Sequence, residues 1–384
     1  MPIQRAKPRF SEVKNVTNIT ADELNIGQIG GRRNIIINGA MQVAQRGTSF
    51  TSQTADHFIV DRFKLGATSL GTWTTSQSTD APTGFSYSAK IECTTADASP
   101  ASTDTLYFYT RFEGQDLQHL KFGTSDAESI TISFYVKCSK TGVFTVNWRN
   151  QDAGRSIGSD VTINSADTWE FKTITFAGDT SGAFTNDNGW SANLEFMLNG
   201  GSNYTSGSTL TSYASHSNTN GTRSGGTTLA LGANTGETIQ FTGIQLEVGE
   251  VATPFEHRSY GEELQLCKRY FQYWGRSSSS SGDNSICAWG MYYSNTLTQH
   301  FFPMQVEMRA NPSVSTATTT YGDFDVFGRG YSDQPSTAPS FFRISNKMFR
   351  AQFSTTSRSG AYSAWLEVSD ATDNSQGVEA DAEL

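Results

Sequence analysis

The sequence predicts an all-β protein with two β-sandwich units and one short helix between them. Hydrophobic residues make up 36% and aromatic residues 12% of the 384 positions, with 25 Phe and 14 Tyr, so the chain can fill large cores. Only 17% of the residues are charged, and 35 Gly accompany many Ser, Thr and Asn, which favour turns and exposed strand faces. Alternation of apolar and polar residues recurs along the chain, as expected for strands with one buried face.

Residues 1–33 are predicted to form an extended N-terminal arm. They have little apolar content and no sustained period, so they cannot bury a core of their own. Six basic residues stand against three acidic ones here, whereas the whole chain has a net charge of −9. This asymmetry indicates that the arm docks on an acidic partner, with a solvated tail as the alternative. Arg5, Lys7 and Arg9 are the predicted anchoring residues.

Residues 34–258 are predicted to form a jelly-roll β-sandwich. Asn38-Gly39 is a strong turn dipeptide at its start. Period-two alternation over about nine residues in FSYSAKIEC and SITISFYVKC, with shorter alternating runs elsewhere, indicates antiparallel strands with one buried face. Roughly nine or ten strands separated by Gly/Ser/Asn loops are typical of a two-sheet sandwich.

Two irregularities are predicted inside this sandwich. In ETIQFTGIQLEVG the apolar residues change parity between Phe241 and Ile244, so a β-bulge is expected near Gly243. Residues 199–226 are nearly low-complexity and predict one long loop, which is either disordered or exposed for interaction.

A connecting helix is predicted over residues 259–268. Ser259 followed by Glu262 matches an S-x-x-E capping box. In this motif the serine oxygen accepts a hydrogen bond from an amide of the first turn, and the glutamate side chain accepts one from the amide of the cap residue. Leu264, Cys267 and Phe271 fall at helical spacing and predict a packed face. A helix of two to three turns does not persist alone, so it must pack on a neighbour.

The residues predicted to hold the joint between the two units surround this helix. Glu256 and Arg258 are expected to form a structural ion pair at the domain boundary. The full set of predicted joint residues is Glu256, Arg258, Ser259, Glu262, Leu264, Cys267 and Phe271.

Residues 269–384 are predicted to form the second, smaller β-sandwich domain. RYFQYW and SICAWGMYY flank the serine run 277–281 and predict a hairpin with a flexible tip, with an interdomain linker as the alternative. Alternation in AYSAWLEV indicates a further strand. GVEADAEL also alternates and predicts a closing strand, with an acidic tail as the alternative.

Several function classes are excluded by composition and motifs. The negative net charge argues against nucleic-acid binding, which needs clustered Lys and Arg. The sequence contains no apolar run of about 18 residues, so no membrane-spanning segment is expected. The N-terminus has charges but no apolar region after them, so no signal peptide is expected. The four cysteines lie far apart and predict free thiols.

No catalytic, metal or cofactor site is predicted. The five histidines form no H-E-x-x-H or H-x-H cluster, and no nucleophile elbow, Walker A loop or dinucleotide fingerprint is present. Acidic pairs such as Asp56 with Asp61 and Glu113 with Asp116 could in principle serve glycoside hydrolysis. A chain with 37 acidic residues supplies such pairs without function, so the prediction is a protein that is not an enzyme.

Aromatic side chains are the predicted binding groups. Flat aromatic rings together with amides and carboxylates are suited to sugars, although most tryptophans of β-proteins belong to the core. We predict that Trp289, Tyr292 and Tyr293 contact glycan, with residues 199–226 and 276–283 as further exposed surface.

Three stretches resemble a known family. NIIINGAMQVAQRGTSF, ADHFIVDRF and GIQLEVGEVATPFEHRSYGEELQLCKRYFQYW are similar to a jelly-roll module of bacteriophage tail-fibre and related virion proteins, especially of phages that infect marine and other Gram-negative bacteria. VEMRANPSV and ADAEL resemble the small C-terminal domain that often follows it. The resemblance covers about 34–384 and is most specific over 244–270.

The resemblance implies a carbohydrate-binding-like jelly roll in a fibre or appendage of the virion, most often a homotrimer. The helix at 260–268 would then be a joint on the three-fold axis, with Leu264 and Phe271 packing against symmetry mates. The implied partners are other copies of the chain, other virion proteins through the arm, and host surface polysaccharide or lipopolysaccharide. Related modules can hold calcium near their start, but Met41 and Gln42 stand at the corresponding positions here, so no calcium is predicted.

Three functions are therefore weighed. The first is a virion attachment protein that binds host glycan. The second is a structural decoration or adaptor protein of the virion without host contact. The third is a polysaccharide depolymerase, against which the absence of a long repetitive β-helix region counts.

Overall fold

Antiparallel β-strands make up most of the regular structure, which confirms the predicted all-β class. The computed structural model describes residues 32–216, 221–225, 229–275, 285–317, 324–328, 331–335, 337–356, 363–368 and 377–384. The predicted anchoring residues Arg5, Lys7 and Arg9 lie outside the described residues, as does the serine run 277–281.

The N-terminal part contains thirteen strands in two sheets. They are β1 Ser49–Gln53, β2 His57–Val60, β3 Phe63–Thr68, β4 Thr72–Ser78, β5 Ser88–Thr95, β6 Thr105–Glu113, β7 Ile130–Cys138, β8 Gly142–Asn150, β9 Arg155–Ile163, β10 Glu170–Phe176, β11 Trp190–Gly200, β12 Ala214–Ser215 and β13 Thr238–Val248. One sheet has the order β1-β4-β5-β13-β7-β10 and the other β12-β9-β8-β11-β6-β3-β2. A 3-10 helix, Gly114–Leu120, follows β6, and a short helix α1, Ser202–Thr205, follows β11.

The inner faces of these two sheets enclose one core. Phe108 of β6 stacks on Phe241 of β13 with ring centroids 5.0 Å apart, which joins the two sheets directly. Phe134 and Phe196 meet edge to face at 5.1 Å beside them. Alternating aromatic residues on facing strands therefore build the interior of a sandwich, as the period-two pattern predicted.

The β-bulge predicted in β13 is present. The register against β7 shifts between Thr242 and Gln245, and Gly243 between them has φ 60°. An added Cβ at Gly243 would lie 2.7 Å from Cζ of Phe85. Glycine is thus required for two reasons, a left-handed backbone and a close aromatic neighbour.

The predicted connecting helix is α2, Tyr260–Lys268. Ser259 is its N-cap and accepts a hydrogen bond from the amide of Glu262 at 3.3 Å. Glu262 itself pairs with Arg32 at 2.5 Å. Glu263 and Cys267 are the buried residues of the helix, so it packs on the sandwich through a face that carries a carboxylate.

The C-terminal part contains ten strands in two further sheets. They are β14 Phe271–Gly275, β15 Ser285–Ser294, β16 Leu297–Pro303, β17 Ser313–Thr316, β18 Phe324–Gly328, β19 Tyr331–Asp333, β20 Ser340–Phe342, β21 Met348–Ser354, β22 Ser363–Val368 and β23 Gly377–Asp381. The three-stranded sheet has the order β14-β23-β17, and the seven-stranded sheet β19-β18-β22-β15-β16-β21-β20. The predicted closing strand is therefore confirmed as β23.

A second core lies between these sheets. Phe302 and Phe349 stack at 4.7 Å, and Trp274 of β14 meets the ring of Phe349 edge to face at 5.4 Å. The buried residues of the first core lie within 36–246, and those of the second core lie within 288–382. The domain limits predicted from the sequence stay a prediction, with one core on each side of them.

Two local predictions are wrong. The strands on either side of the serine run, β14 and β15, do not form a hairpin, because they belong to different sheets. Strand β14 pairs with β23, whereas β15 pairs with β16 and β22. The described residues within 199–226 are more than one loop, because they include the end of β11, helix α1 and strand β12. Among the described residues, no helix is long and apolar enough to cross a membrane.

Candidate functional site: an aromatic row on the C-terminal sheet

Six strands of the seven-stranded sheet place one side chain each in a single row on its outer face. Direct cross-strand partners, taken from one edge to the other, are Phe327, Trp365, Trp289, Phe301, Arg350 and Phe342. Neighbouring strands lie about 4.8 Å apart, so the row is about 24 Å long. We call these six residues the aromatic row.

The strand pattern explains which side chains reach this surface. On β15, Ala288 and Tyr292 point into the core, whereas Trp289, Met291 and Tyr293 point outward. Trp289 is 64% exposed and Tyr293 is 67% exposed. Tyr292 is only 9% exposed, so the prediction that it contacts glycan is wrong, because alternation puts it on the opposite face.

The rings at the start of the row are held in fixed orientations. Trp365 donates a hydrogen bond from Nε1 to Oε1 of Glu367 at 2.6 Å. Phe327 stacks on Trp365 at 5.6 Å with an interplanar angle of 7°. Trp289 lies 6.0 Å from Trp365 and is tilted by 51°. Trp289, the most exposed ring of the row, thus packs beside Trp365, which Phe327 and Glu367 already hold in place, and this lowers the entropy cost of binding.

A groove of about 620 Å³ runs beside Trp289. Its walls are mainly apolar and include Trp274, Met291 and Phe301, and Gln305 supplies an amide. Further along the outer face, Gln299 donates from Nε2 to Oε1 of Gln352 at 3.1 Å. Flat rings next to amides are the combination that holds the apolar face and the hydroxyls of a sugar.

The predicted joint residues lie elsewhere, at the start of the N-terminal sandwich. Oε2 of Glu256 accepts a hydrogen bond from the amide of Asn34 at 2.7 Å, and Arg258 donates to the carbonyl of Ile36 at 2.9 Å. Arg258 and Glu256 form the expected ion pair, with 3.8 Å between Nη2 and Oε2. These contacts tie the segment before α2 to the first turn of the sandwich.

Glu263, which the sequence did not single out, is the central joint residue of the helix. Its Oε1 accepts a hydrogen bond from the amide of Asn38 at 2.6 Å and pairs with Nη1 of Arg258 at 3.3 Å. Cys267 is fully buried one turn later, and burial raises the pKa of its thiol well above the usual range. Leu264 is half-buried, and its contact with a neighbouring subunit stays a prediction.

Arginines of the sandwich continue this joint toward the C-terminal residues. Arg46 pairs with Asp381 at 3.0 Å and lies over the ring of Phe271 at 3.7 Å. Arg62 pairs with Glu383 and lies over the ring of Tyr270 at 3.4 Å. Phe271 is 1% exposed beneath Arg46. Its predicted packing against a symmetry mate is therefore wrong, because no surface of the ring is left for another subunit.

The acidic pairs considered for hydrolysis are engaged in structural contacts. Asp61 accepts hydrogen bonds from the amide and the side chain of Gln45 at 2.6 and 2.9 Å, and burial raises its pKa to about 6. Asp56 accepts from the amide of Ala67 at 3.0 Å. Glu113 holds Arg269 through two hydrogen bonds of 2.8 and 2.7 Å. Within the described ranges, no group of three His, Cys, Asp or Glu side chains is placed to bind a metal.

Four aromatic members of the row were missed in the sequence. Trp365 lies in AYSAWLEV, where alternation was recognised, but the residues that share its surface come from five other strands. Parity identifies the outward side chain of each strand. It does not give the register that brings Phe301, Phe327 and Phe342 level with Trp289.

No protein-family model matches the chain, and no curated protein sequence matches it. Parts of the chain are similar to solved structures. The family 11 carbohydrate-binding module of a cellulosomal cellulase of Clostridium thermocellum has 13% identity and a TM-score of 0.26, and the match covers 54% of this chain and 100% of that one. The TmCBM61 structure, a complex with β-1,4-galactotriose, has 8% identity and a TM-score of 0.28, with 56% and 99% coverage.

A third similarity is to the enzymatically active domain of tailspike protein 4 of bacteriophage CBA120. It has 12% identity and a TM-score of 0.29, and it covers 56% of this chain. The matched part of the chain spans 21%, or about a fifth, of the tailspike chain's length. TM-scores of this size assign no function to the chain.

Proposed function

We propose that the protein is a non-enzymatic attachment protein of a bacteriophage virion, which binds host surface polysaccharide or lipopolysaccharide through the aromatic row. The observation that carries the proposal is the direct pairing of Trp289 with Trp365 and Phe301 on an exposed sheet face. Three neighbouring strands thereby offer ring surfaces in line, and a linear saccharide can lie along them. The adjacent amides of Gln305 and Gln352 suit its hydroxyl groups, and the buried Gln299 donates to the amide oxygen of Gln352.

The place of the protein in a virion rests on the sequence resemblance over 244–270. In this proposal the protein belongs to a tail fibre or another external appendage, and the N-terminal arm binds other virion proteins. The chain assembles as a homotrimer, with the exposed side of α2, including Tyr260 and Leu264, facing the neighbouring copies. Several copies of a weak sugar site raise the overall affinity through effective concentration.

The glycan site is tested on an array of bacterial polysaccharides and lipopolysaccharides. Trp289→Ala is compared with Phe171→Ala, because Phe171 is also exposed but lies on the N-terminal sandwich. We expect Trp289→Ala to weaken binding about tenfold or more, since it removes a large stacking surface. Phe171→Ala should bind as the parent protein does.

Equal binding by the parent protein and Trp289→Ala would refute the glycan site. If the parent protein binds no glycan and Trp289→Ala fails to enter assembled particles, the row is a protein contact and the chain is a decoration or adaptor protein. The exposed Met291 and Phe301 on the same sheet face would suit a contact with another virion protein. Mass photometry tests the trimer, because particles of the 41.9 kDa monomer alone would refute it.

A further inference from the structure

Arg350 is the one cation in the aromatic row, and its surroundings carry no balancing charge. It lies on β21 between Phe301 and Phe342, its direct partners on the neighbouring strands. Its guanidinium carbon is 5.6 Å from the ring centroid of Phe342. On the same face of β21, the residues two positions away are Met348 and Gln352, which are uncharged.

Among the residues that the structure describes, no carboxylate lies within ion-pair distance of Arg350. Its Nε is buried and has no hydrogen-bond partner there. Several partly or fully buried arginines of the chain have a carboxylate partner, as Arg46, Arg62, Arg149, Arg155, Arg223 and Arg269 show. The half-buried Arg33 and Arg309 donate to hydroxyl or backbone carbonyl oxygens instead. Arg350 differs from both groups, because among the described residues its half-buried guanidinium has neither a carboxylate nor a hydrogen-bond acceptor.

The opposite end of the row has the opposite charge. Glu367 holds Trp365 in place, and Asp325 is its direct cross-strand partner on β18. Three strand spacings, or about 14 Å, separate β22 from β21. A ligand along the row thus meets acidic groups at one end and a guanidinium at the other, which fixes its direction.

From this arrangement we infer that the Arg350 end of the aromatic row binds an anionic group of the glycan, either a sugar carboxylate or a phosphate. The inference rests on the proposed function, because it assigns a substituent to the same glycan site. A guanidinium presents parallel N–H donors that match both anions. A half-buried cation without an acid also costs desolvation energy, and an incoming anion offsets this cost. The rings of Phe301 and Phe342 hold the apolar face of the same sugar unit.

The first test uses oligogalacturonate and its fully methyl-esterified form, in which each carboxylate is replaced by an uncharged methyl ester. Affinities are measured by calorimetry for the parent protein, Arg350→Gln and Trp289→Ala. We expect the parent protein to prefer the acidic oligomer about tenfold or more, and this preference to fall as salt is added. Arg350→Gln should bind both oligomers equally, whereas Trp289→Ala should weaken both.

A second arm separates carboxylate from phosphate. Lipopolysaccharide is compared with the same material after chemical dephosphorylation, and inorganic phosphate is added as a competitor. A phosphate site predicts that dephosphorylation and free phosphate both remove the Arg350-dependent part of binding. Arg343→Gln is the matched control, because Arg343 is exposed near the same sheet edge, outside the row. Melting curves verify that each variant is folded.

The outcomes distinguish the two proposals. If the parent protein binds acidic and neutral ligands equally and Trp289→Ala weakens both, the anionic subsite is refuted and the glycan site stands. The anionic subsite is also refuted if Arg350→Gln keeps the preference, or if Arg343→Gln loses it to the same extent. Absence of binding to both oligomers and to lipopolysaccharide refutes the anionic subsite together with the proposed function.

Discussion

The main-chain amide of Asn38 donates a hydrogen bond to Oε1 of Glu263 over 2.6 Å, although 225 positions separate the two residues in the sequence. The first turn of the N-terminal sandwich and the helix that leaves it are thus in direct contact. Because Glu263 also pairs with Arg258, one buried carboxylate serves a backbone donor and a guanidinium together. The stretches that carry the family resemblance therefore meet at a joint rather than at a binding surface.

This joint gives the first prediction, a contrast between two adjacent glutamates. Glu263→Ala leaves the buried Asn38 amide without its acceptor and should lower the free energy of unfolding by about 2 to 4 kcal/mol. Glu262→Ala removes only an exposed pair with Arg32 and should cost less than about 1 kcal/mol. Urea unfolding measures both values. Equal losses in the two variants would contradict the role assigned to Glu263.

The second prediction concerns the link between the two cores. Arg269 donates twice to Glu113, whose side chain is fully buried in the N-terminal sandwich. Arg269→Ala leaves this buried carboxylate without a counter-charge, although Gln115 still donates to it, and should cost about 3 to 5 kcal/mol. We expect one calorimetric transition in the parent protein and two in the variant, because the cores lose a shared contact.

A suitable control for this experiment is Lys347→Ala. Lys347 pairs with Glu307 at 3.7 Å on the surface, with both side chains exposed, so its removal should leave the single transition unchanged. A single unshifted transition in Arg269→Ala would show that the pair does not couple the cores.

The third prediction pairs two glycines whose replacement by alanine has opposite effects. Gly243→Ala places a Cβ at a positive φ and 2.7 Å from Phe85, so we expect a loss of about 2 kcal/mol or more. Gly261 lies in the first turn of α2 with open space around it, and Gly261→Ala should stabilise the protein by up to about 1 kcal/mol. Thermal melting compares them. Tolerance of alanine at position 243 would contradict the packed bulge.

The fourth prediction is a pH dependence of the C-terminal core. His300 is fully buried, and desolvation by burial lowers its pKa from 6.5 to about 4. The unfolded chain therefore binds a proton at a pH where the folded chain does not. The free energy of unfolding therefore does not depend on His300 above pH 6.5. As the pH drops from 6.5 to 4, protonation of His300 in the unfolded chain lowers it by about 3 kcal/mol in total.

The variant that tests it is His300→Gln, which keeps a polar side chain near Thr298 but does not titrate. The difference in unfolding free energy between pH 7 and pH 4 should be smaller in the variant by about 3 kcal/mol. Parallel pH profiles for the parent protein and the variant would refute the assignment.

Local sequence patterns were sufficient to predict the kinds of element and several of their details. Alternation identified many of the strands, although the N-terminal part has thirteen and not nine or ten. The Ser259 cap and helical spacing identified α2, but Glu262 pairs with Arg32 and does not reach back to the cap. A change of parity located the bulge at Gly243. These features depend on residues within a few positions of one another, so local conformational preference and period are sufficient to reveal them.

The pairing of the strands, and the set of side chains that share one surface, depend on contacts between residues far apart in the sequence. β14 pairs with a strand that begins at Gly377, although aromatic strands closer in sequence were available. The aromatic row likewise exists only because six strands share one register. The same register places Arg350 between Phe301 and Phe342, where no described carboxylate pairs with it. Strand pairing and register depend on the burial of distant faces together, which no short stretch of sequence specifies.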